Sequence, residues 1–229
     1  MWGSAVDGQV LTFHLVGINN QNFIMQDEQT GTWWQQVSGE AIHGSLAGRA
    51  LTLLPFDQLT FETWRAEAPA GRVLAPDSRV AAHYARSDWE ERLLRTPVPR
   101  LADTRLPPRT LVIGVDVHGA ARAYPVDAVA ASGVVLDDLG STALAIVRSP
   151  DGRSTRVFDR SVDGRRLELA VAVDRTPFRL LDVETGSEWD FTGAAVAGPL
   201  SGRTLRRLPF LEEYWFDGKT YHPGTGIYK

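Results

Sequence analysis

Two nine-residue stretches carry the residue types that most directly suggest a binding site. They read "DEQTGTWWQ" and "DVETGSEWD", and both place a carboxylate, a hydroxyl and an indole in the same order. This combination suits a sugar or a cationic group. It also suits a tight turn, because Asp and Thr side chains accept hydrogen bonds from backbone N–H groups two or three positions on. Both interpretations concern the same six residues, Asp27, Thr30, Trp34, Asp182, Thr185 and Trp189.

A second candidate is the segment "ARAYP", which contains Arg122 and Tyr124. Strand alternation directs both side chains to one face of a sheet. There Arg122 could hold a carboxylate or phosphate through two hydrogen bonds, with Tyr124 donating another. The alternative is a cross-strand ion pair, for which Asp116 is the partner that the sequence offers.

His222, in "YHP" near the end of the chain, is the last binding candidate, and its alternative is a purely structural role. Asp137 and Asp138 could bind a hard cation or act in acid/base chemistry, but the Leu-Gly-Ser that follows them favours a solvated hairpin tip. The sequence contains no phosphate-binding Gly-Lys-Ser/Thr loop and no Gly-x-Ser-x-Gly elbow. We therefore assign no catalytic residue.

The candidate residues belong to a longer internal repeat. "VDGQVLTF" from Val6 matches "VDGRRLEL" from Val162, an offset of 156 positions. The offset falls to 155 for the two Asp-Thr-Trp stretches and to 154 for Pro55 and Phe56 against Pro209 and Phe210. Matches that keep their order while the offset drifts by one indicate a duplicated module with two short gaps.

The elements that must position these residues are predicted to be β-strands. Asp-Gly dipeptides and other turn signals recur every eight to twelve residues, which is typical of antiparallel β structure. The sequence predicts a mainly β fold of two pseudo-repeated antiparallel modules, barrel-like or sandwich-like, with a short helical connection. We place the first module at 1–76, a helical and proline-rich linker at 77–106 and the second module at 107–229.

Composition excludes several classes of function. A net charge of −4, without a basic run, argues against nucleic acid, and no apolar stretch approaches the length of a membrane span. The absence of cysteine excludes disulfides and thiolate chemistry in this sequence, and the five histidines show no paired-ligand spacing. We expect no cofactor and no metal site. The first residues do not resemble a signal peptide, and the compartment stays open.

Several segments resemble one uncharacterised prokaryotic family, known as domain of unknown function 3179. In the second module these are "GVDVHGAARAYPVDAV", "VFDRSVDGRRLEL", "DVETGSEWDFTGAAVAGPLSGRTLRRLP" and "YWFDGKTYHPGTGIY", and the first module resembles an earlier segment of the same family. The resemblance implies a Cys-Pro-x-Cys-like segment, preceded by a His-Glu-x-Val-Asn-Asp-like one, before the first Val-Asp-Gly. In the second module the corresponding places read "SPDG" and "VVLDD", without Cys or His.

The two modules are unequal, and this inequality leads to two hypotheses about function. About fifty residues of the second module precede Val162, whereas five residues precede Val6. One hypothesis is a non-catalytic binding or structural module, or a fragment of one, with a small polar ligand. The other is part of a thiol-redox or metal-dependent enzyme whose reactive segment lies upstream of Met1 or on a partner. A first module without half its strands should expose a sheet edge and apolar surface, or be completed by a homo-oligomer or partner chain.

Overall fold

The protein is mainly β, with antiparallel sheets and a few short helices. The computed structural model describes residues 1–173 and 176–229, apart from the side chain of Glu90. Its sheets hold two or four strands each, and within the described residues none closes into a barrel. The prediction of a mainly β fold is therefore confirmed.

The first copy of the repeat is a short hairpin followed by a four-stranded meander. Its turns match the sequence signals: Asp7 and Gly8 both have positive φ, as a two-residue hairpin turn requires. A bulge lies between Trp33 and Trp34 in the third strand of the meander. The strands are β1 (Ala5–Val6), β2 (Gln9–Val10), β3 (Phe13–Asn19), β4 (Asn22–Asp27), β5 (Trp33–Gln35) and β6 (Ala41–His43).

Short helices follow the strands of the first copy. Thr60 caps the first of them, since its side chain accepts a hydrogen bond from the N–H of Thr63. The helical elements are α1 (Phe61–Glu67), a 3-10 helix (Ser78–His83) and α2 (Trp89–Arg95).

The segment that precedes the second copy supplies most of two sheets. It forms β7 (Leu111–Val117), β8 (Ala120–Pro125), α3 (Val126–Ser132), β9 (Val134–Leu139), β10 (Thr142–Arg148) and β11 (Thr155–Asp159). Strand β10 is buried along its whole length. Alternation directs Leu144 and Ile146 into one apolar cluster, and Ala145 and Val147 into another. Strand β10 therefore joins the two largest parts of the core.

The second copy repeats the strand order of the first. A hairpin with Asp163 and Gly164 at its turn precedes a four-stranded meander, and a bulge lies between Glu188 and Trp189. The strands are β12 (Ser161–Val162), β13 (Arg165–Arg166), β14 (Leu169–Val171), β15 (Leu180–Asp182), β16 (Glu188–Trp189) and β17 (Ala195–Ala197).

The last elements complete the two larger sheets. They are β18 (Arg206–Arg207), β19 (Leu211–Tyr214), α4 (Trp215–Tyr221) and β20 (Gly226–Ile227). One sheet has the order β18-β11-β10-β9, and the other has the order β19-β7-β8-β20. The pairing of β20 with β8 is parallel.

The two copies contact each other through equivalent and non-equivalent residues. The rings of Phe56 and Phe210, which match in the repeat, stack with centroids 5.4 Å apart. The buried guanidinium of Arg156 on β11 donates to Glu67 at 2.5 and 2.8 Å and to Asp57 at 2.9 Å. The segment 57–67 is thus anchored on a sheet of the second half of the chain.

The meander of the first copy exposes apolar side chains. Leu15, Ile18 and Phe23 are 57%, 66% and 50% exposed, and β3 is an edge strand. Whether a second copy or another chain covers this surface stays a prediction. None of the described helices is long and apolar enough to cross a membrane.

Candidate ligand-binding site

The Asp-Thr-Trp stretch of the first copy forms a closed hydrogen-bonded turn. The carboxylate of Asp27 accepts from the N–H of Thr30 at 2.5 Å, its hydroxyl at 2.9 Å and Nε1 of Trp34 at 2.8 Å. Asp27 and Trp34 are fully buried. Burial alone would raise the pKa of Asp27, but the hydrogen bonds from Trp34 and Thr30 outweigh it, and the pKa is lowered.

The second copy forms the same turn with one difference. Asp182 accepts from the Thr185 hydroxyl and from the N–H of Glu184, and Thr185 lies 2.7 Å from the Ser187 hydroxyl. Trp189 is fully buried, but its Nε1 has no hydrogen-bond partner among the described residues. In both copies the polar groups contact one another within the turn. A binding role for these six residues stays a prediction.

Arg122 and Tyr124 share one partner, which is Asp137. Both side chains donate to its Oδ2, Tyr124 at 2.6 Å. The suggested ion pair with Asp116 is wrong, because Arg122 lies opposite Val115, and Asp116 faces the other side of the sheet. Burial raises the pKa of Tyr124, and the hydrogen bond to Asp137 raises it further.

The prediction that Asp137 and Asp138 form a hairpin tip is also wrong. Both residues lie inside β9, which continues to Leu139 opposite Thr142 of β10. Consecutive strand residues point to opposite faces, so the two carboxylates have different partners. Asp138 pairs with Arg160 at 3.4 Å and with Arg166 at 3.1 Å.

The face of the β19-β7-β8-β20 sheet that is opposite Arg122 and Tyr124 carries a pocket of about 50 Å³. Small residues on three elements leave the space: Gly114 on β7, Ala121 and Ala123 on β8, and Gly218 on α4. Trp2 and Leu53 of the first copy form one wall, and His222, which caps the C-terminus of α4, lines another part. Two of the sequence-predicted candidates, Arg122 and His222, line this pocket, although the Arg122 side chain reaches Asp137 on the opposite face of the sheet.

The pocket also borders a titratable group, Glu213, which the sequence analysis missed. Its neighbour Glu212 points to the opposite face of β19 and pairs with Arg148 at 3.0 Å and with Thr155 at 3.2 Å. The Oε2 of Glu213 is buried and has no hydrogen-bond partner among residues 1–173 and 176–229. A buried polar atom without a partner costs about 1–3 kcal/mol, and more if it is charged.

Two glycines make room for this carboxyl group. A Cβ atom would stand 2.8 Å from Oε1 of Glu213 if built on Gly114, and 2.9 Å from it if built on Gly218. Both distances are too short for an undisturbed contact. The backbone of β7 and α4 can thus approach the carboxyl group closely because neither position has a side chain.

Burial and a neighbouring acid shift the pKa of Glu213 upwards. Burial raises the pKa to about 8 from the ordinary 4.5, with a further contribution from Asp217. Burial also raises the pKa of Asp217 to about 6, although a 2.6 Å hydrogen bond from Asn22 Nδ2 and the charge of Arg109 oppose the shift. At neutral pH Glu213 is mostly protonated, while Asp217 is mostly ionised.

The first copy contains the same helix without these polar groups. Helices α1 and α4 run from 61 to 67 and from 215 to 221, both 154 positions apart. The residues that follow them, Ala68 and His222, have nearly identical backbone angles, −128° and 66° against −126° and 71°. At this offset Leu59, Trp64 and Ala68 stand where the second copy has Glu213, Gly218 and His222. This alignment is the sequence signal that could have identified Glu213.

Within the described residues, no group of three or more His, Asp or Glu side chains is arranged to hold a metal ion. The fold and the pocket define a duplicated, mainly β protein in which one copy carries a carboxyl group whose Oε2 is buried and has no hydrogen-bond partner within the described part of the chain. Residues 1–225 match the family described as "Protein of unknown function (DUF3179)", and the chain belongs to that family. Searches of curated proteins and of solved structures find no match.

Proposed function

We propose that the protein binds a small polar ligand in the pocket beside Glu213, and that Glu213 is the group that recognises it. The observation that carries this proposal is the buried Oε2, which has no hydrogen-bond partner in the described ranges, at a position where the first copy has Leu59. A fold that can place leucine at this position does not need the carboxyl group for packing. A destabilising polar group beside open space is typical of a functional site.

A panel of small probes tests this proposal. Ethylammonium, ethanol, acetamide and acetate are small enough for a pocket of about 50 Å³. We expect at least one of them to shift the backbone amide NMR signals of Gly114, Ala121 and Gly218 saturably. Replacement by the residue of the first copy, Glu213→Leu, should weaken this binding at least tenfold and leave the spectrum folded.

The matched control is Glu28→Leu, the same substitution at an exposed position. It should leave the binding curve unchanged. Saturable binding of no probe, or undiminished binding by Glu213→Leu, would contradict the proposal.

A second candidate function is acid–base catalysis, favoured by the two neighbouring acids with separated pKa values. Glu213, with a pKa of about 8, could donate a proton near neutral pH, and Asp217, with a pKa of about 6, could accept one. This function requires a substrate that reaches both carboxyl groups. Its signature would be a bell-shaped pH–rate profile. The variants Asp217→Asn and Glu213→Gln should each remove one of the two limbs of that profile.

The hypothesis of a thiol-redox or metal-dependent enzyme concerns residues outside this sequence, and in-frame DNA upstream of Met1 would test it.

A further inference from the structure

The acidic groups around the pocket differ in whether they have a hydrogen-bond partner or access to solvent. The acids that face it or lie beside it are Glu213 on β19, Asp217 on α4 and Asp116 on β7. Asp217 receives the hydrogen bond from Asn22, and Asp116 is exposed. Glu213 lacks a comparable partner among the described residues.

The cationic side chains of the surrounding elements are directed elsewhere. Arg122 on β8 donates to Asp137 on the opposite face of the sheet. Arg109 donates to the carbonyl oxygens of Leu93 and Thr96, at 2.9 and 2.5 Å. Arg105 and Lys219 both pair with Asp103, at 2.5 and 3.5 Å. His222 is the remaining titratable group in the pocket wall.

Part of the pocket lining is apolar and aromatic. Trp2 and Leu53 line the pocket, and Nε1 of Trp2 donates to the carbonyl oxygen of Gln36 at 2.7 Å. With its polar atom bound there, the indole offers the pocket apolar surface. A carboxyl group in a pocket that an indole and a leucine also line suits a cationic nitrogen on a short carbon chain.

We infer that the ligand of this pocket carries a primary ammonium group, which forms an ion pair with Glu213 and displaces the proton of its carboxyl group. The inference rests on the proposed function and adds the chemical class of the ligand. The step balances: the neutral carboxylic acid and the ammonium ion give a carboxylate–ammonium pair, and one proton is released to solvent. The ligand supplies the partner that Oε2 of Glu213 lacks among the residues that the structure describes.

The test compares three probes of similar size and different charge, namely ethylammonium, ethanol and acetate. Their dissociation constants are measured by NMR titration of the amides of Gly114 and Gly218 between pH 6 and pH 9. We expect ethylammonium to bind at least tenfold more tightly than ethanol or acetate at pH 8. Because binding releases a proton, ethylammonium should bind more tightly as the pH rises. Its dissociation constant should fall by up to about tenfold for each unit by which the pH is raised towards 8.

Two controls separate Glu213 from the other titratable groups. In Glu213→Gln both the preference for ethylammonium and the pH slope should be lost. A slope that persists in this variant would assign the titration to Asp217, Asp116 or His222 and overturn the inference. In the wild-type protein at pH 7, the side-chain carboxyl ¹³C signal of Glu213 should move from its protonated to its ionised position when ethylammonium is added.

The outcomes distinguish the inference from the function on which it rests. If ethanol or acetate binds at the pocket as tightly as ethylammonium, the ligand is not a cation, and the small-ligand proposal stands. If ethylammonium, ethanol, acetate and acetamide all fail to bind there, both proposals fail.

Discussion

At the scale of single residues, Glu212 and Glu213 show how strand alternation gives two adjacent acids opposite roles. Glu212 lies in an ion pair with Arg148, in which both side chains are less than a tenth exposed. Glu213 lies on the other face, where its Oε2 has no described partner. Glu212 therefore contributes to stability through its pairing, whereas Glu213 opposes stability whenever it is ionised.

The first prediction concerns Glu213→Gln and stability as a function of pH. The folded-state pKa of about 8 lies above the ordinary 4.5, so the folded protein holds the proton more tightly than the unfolded chain does. The resulting contribution to stability is fully present below pH 4.5 and is lost as the pH rises to 8. We therefore compare the free energy of unfolding of Glu213→Gln with that of wild type. As the pH rises from 5 to 8.5, this difference should shift by roughly 3 kcal/mol in favour of the variant. Urea unfolding at each pH measures this difference.

The control for this prediction is Glu212→Gln. Loss of one charge from a buried ion pair costs about 3–5 kcal/mol, because Arg148 is left without its counter-charge. This variant should be destabilised at both pH 5 and pH 8.5. If the two variants show the same pH dependence relative to wild type, the distinction between the two acids is wrong.

The second prediction compares the two equivalent tryptophans. Trp34 donates its indole N–H to Asp27, whereas Trp189 has no described partner for this group. Both substitutions by Phe remove similar volume, but Trp34→Phe also removes a hydrogen bond to a buried charged group. Trp34→Phe should therefore be more destabilising than Trp189→Phe by about 1–2 kcal/mol. Equal losses in thermal or urea unfolding would contradict this difference between the copies.

Sequence reasoning identifies a residue of the site when local spacing determines its surroundings. The Asp-Thr-Trp turns depend on contacts within seven positions, so the structural alternative for Asp27 and Trp34 could be stated from sequence. Glu213 could not be identified this way, because its surroundings come from β7, α4 and the first copy. The partner of Arg122 was missed for the same reason, since the β8–β9 geometry selects Asp137 rather than Asp116.

At the scale of secondary-structure elements, the repeat predicts more than the strand signals do. The Asp-Gly hairpins and the order of the strands follow from local turn chemistry. The end of β9 does not follow from local turn chemistry, because pairing with β10 extends the strand through Asp137 and Asp138 up to Leu139. The equivalence of α1 and α4 becomes evident once both are seen to follow the matched Pro-Phe positions at the same offset.

The third prediction concerns the helix that closes the pocket. Gly218→Ala adds a Cβ atom 2.9 Å from Oε1 of Glu213, so the carboxyl group must move. Alanine also favours the helix more than glycine does, by about 1 kcal/mol. We expect helical circular dichroism to be retained and the probe that binds the wild-type pocket to lose at least threefold in affinity. Unchanged affinity would mean that the close approach of α4 is not needed for binding.

At the scale of the whole molecule, the segment 57–67 connects the two halves of the chain. Arg156 is buried on β11, and its ion-pair partners Asp57 and Glu67 both come from this segment. The burial of a charge without its partners is strongly unfavourable. The contact therefore fixes this segment on the second half, although the predicted module 1–76 assigns it to the first. The division at 76 and 107 stays a proposal.

The fourth prediction tests this connection. The double variant Asp57→Asn, Glu67→Gln leaves the buried guanidinium without a counter-charge, and it should lose about 3–5 kcal/mol of stability. Arg156→Met removes the charge itself and should be less destabilising than the double variant. Glu91→Gln, which removes the exposed pair with Arg95, should change stability by less than about 0.5 kcal/mol. Urea unfolding of the three variants measures the order, and a double variant as stable as Glu91→Gln would contradict it.

The unequal burial of the two copies is also a property of the whole chain. The second copy packs Leu169 and Leu180 against β10 and β11, whereas the first leaves Phe13 and Met25 partly buried and exposes Leu15, which lies on β3 with Phe13. The sequence prediction was that the first copy exposes apolar surface or that another chain completes it, and the choice between these two outcomes stays open. Association through that surface stays a proposal, and sedimentation of wild type against Leu15→Asp would test it.

The central claim is that the carboxyl group of Glu213 lines a binding pocket with its Oε2 buried and without a hydrogen-bond partner among the described residues. The most direct test is a titration of its side-chain carboxyl ¹³C signal in the free protein, assigned with Glu213→Gln. The account predicts a midpoint near pH 8. A midpoint near 4.5, the ordinary value for glutamate, would show that the group is hydrated or paired and would contradict the account.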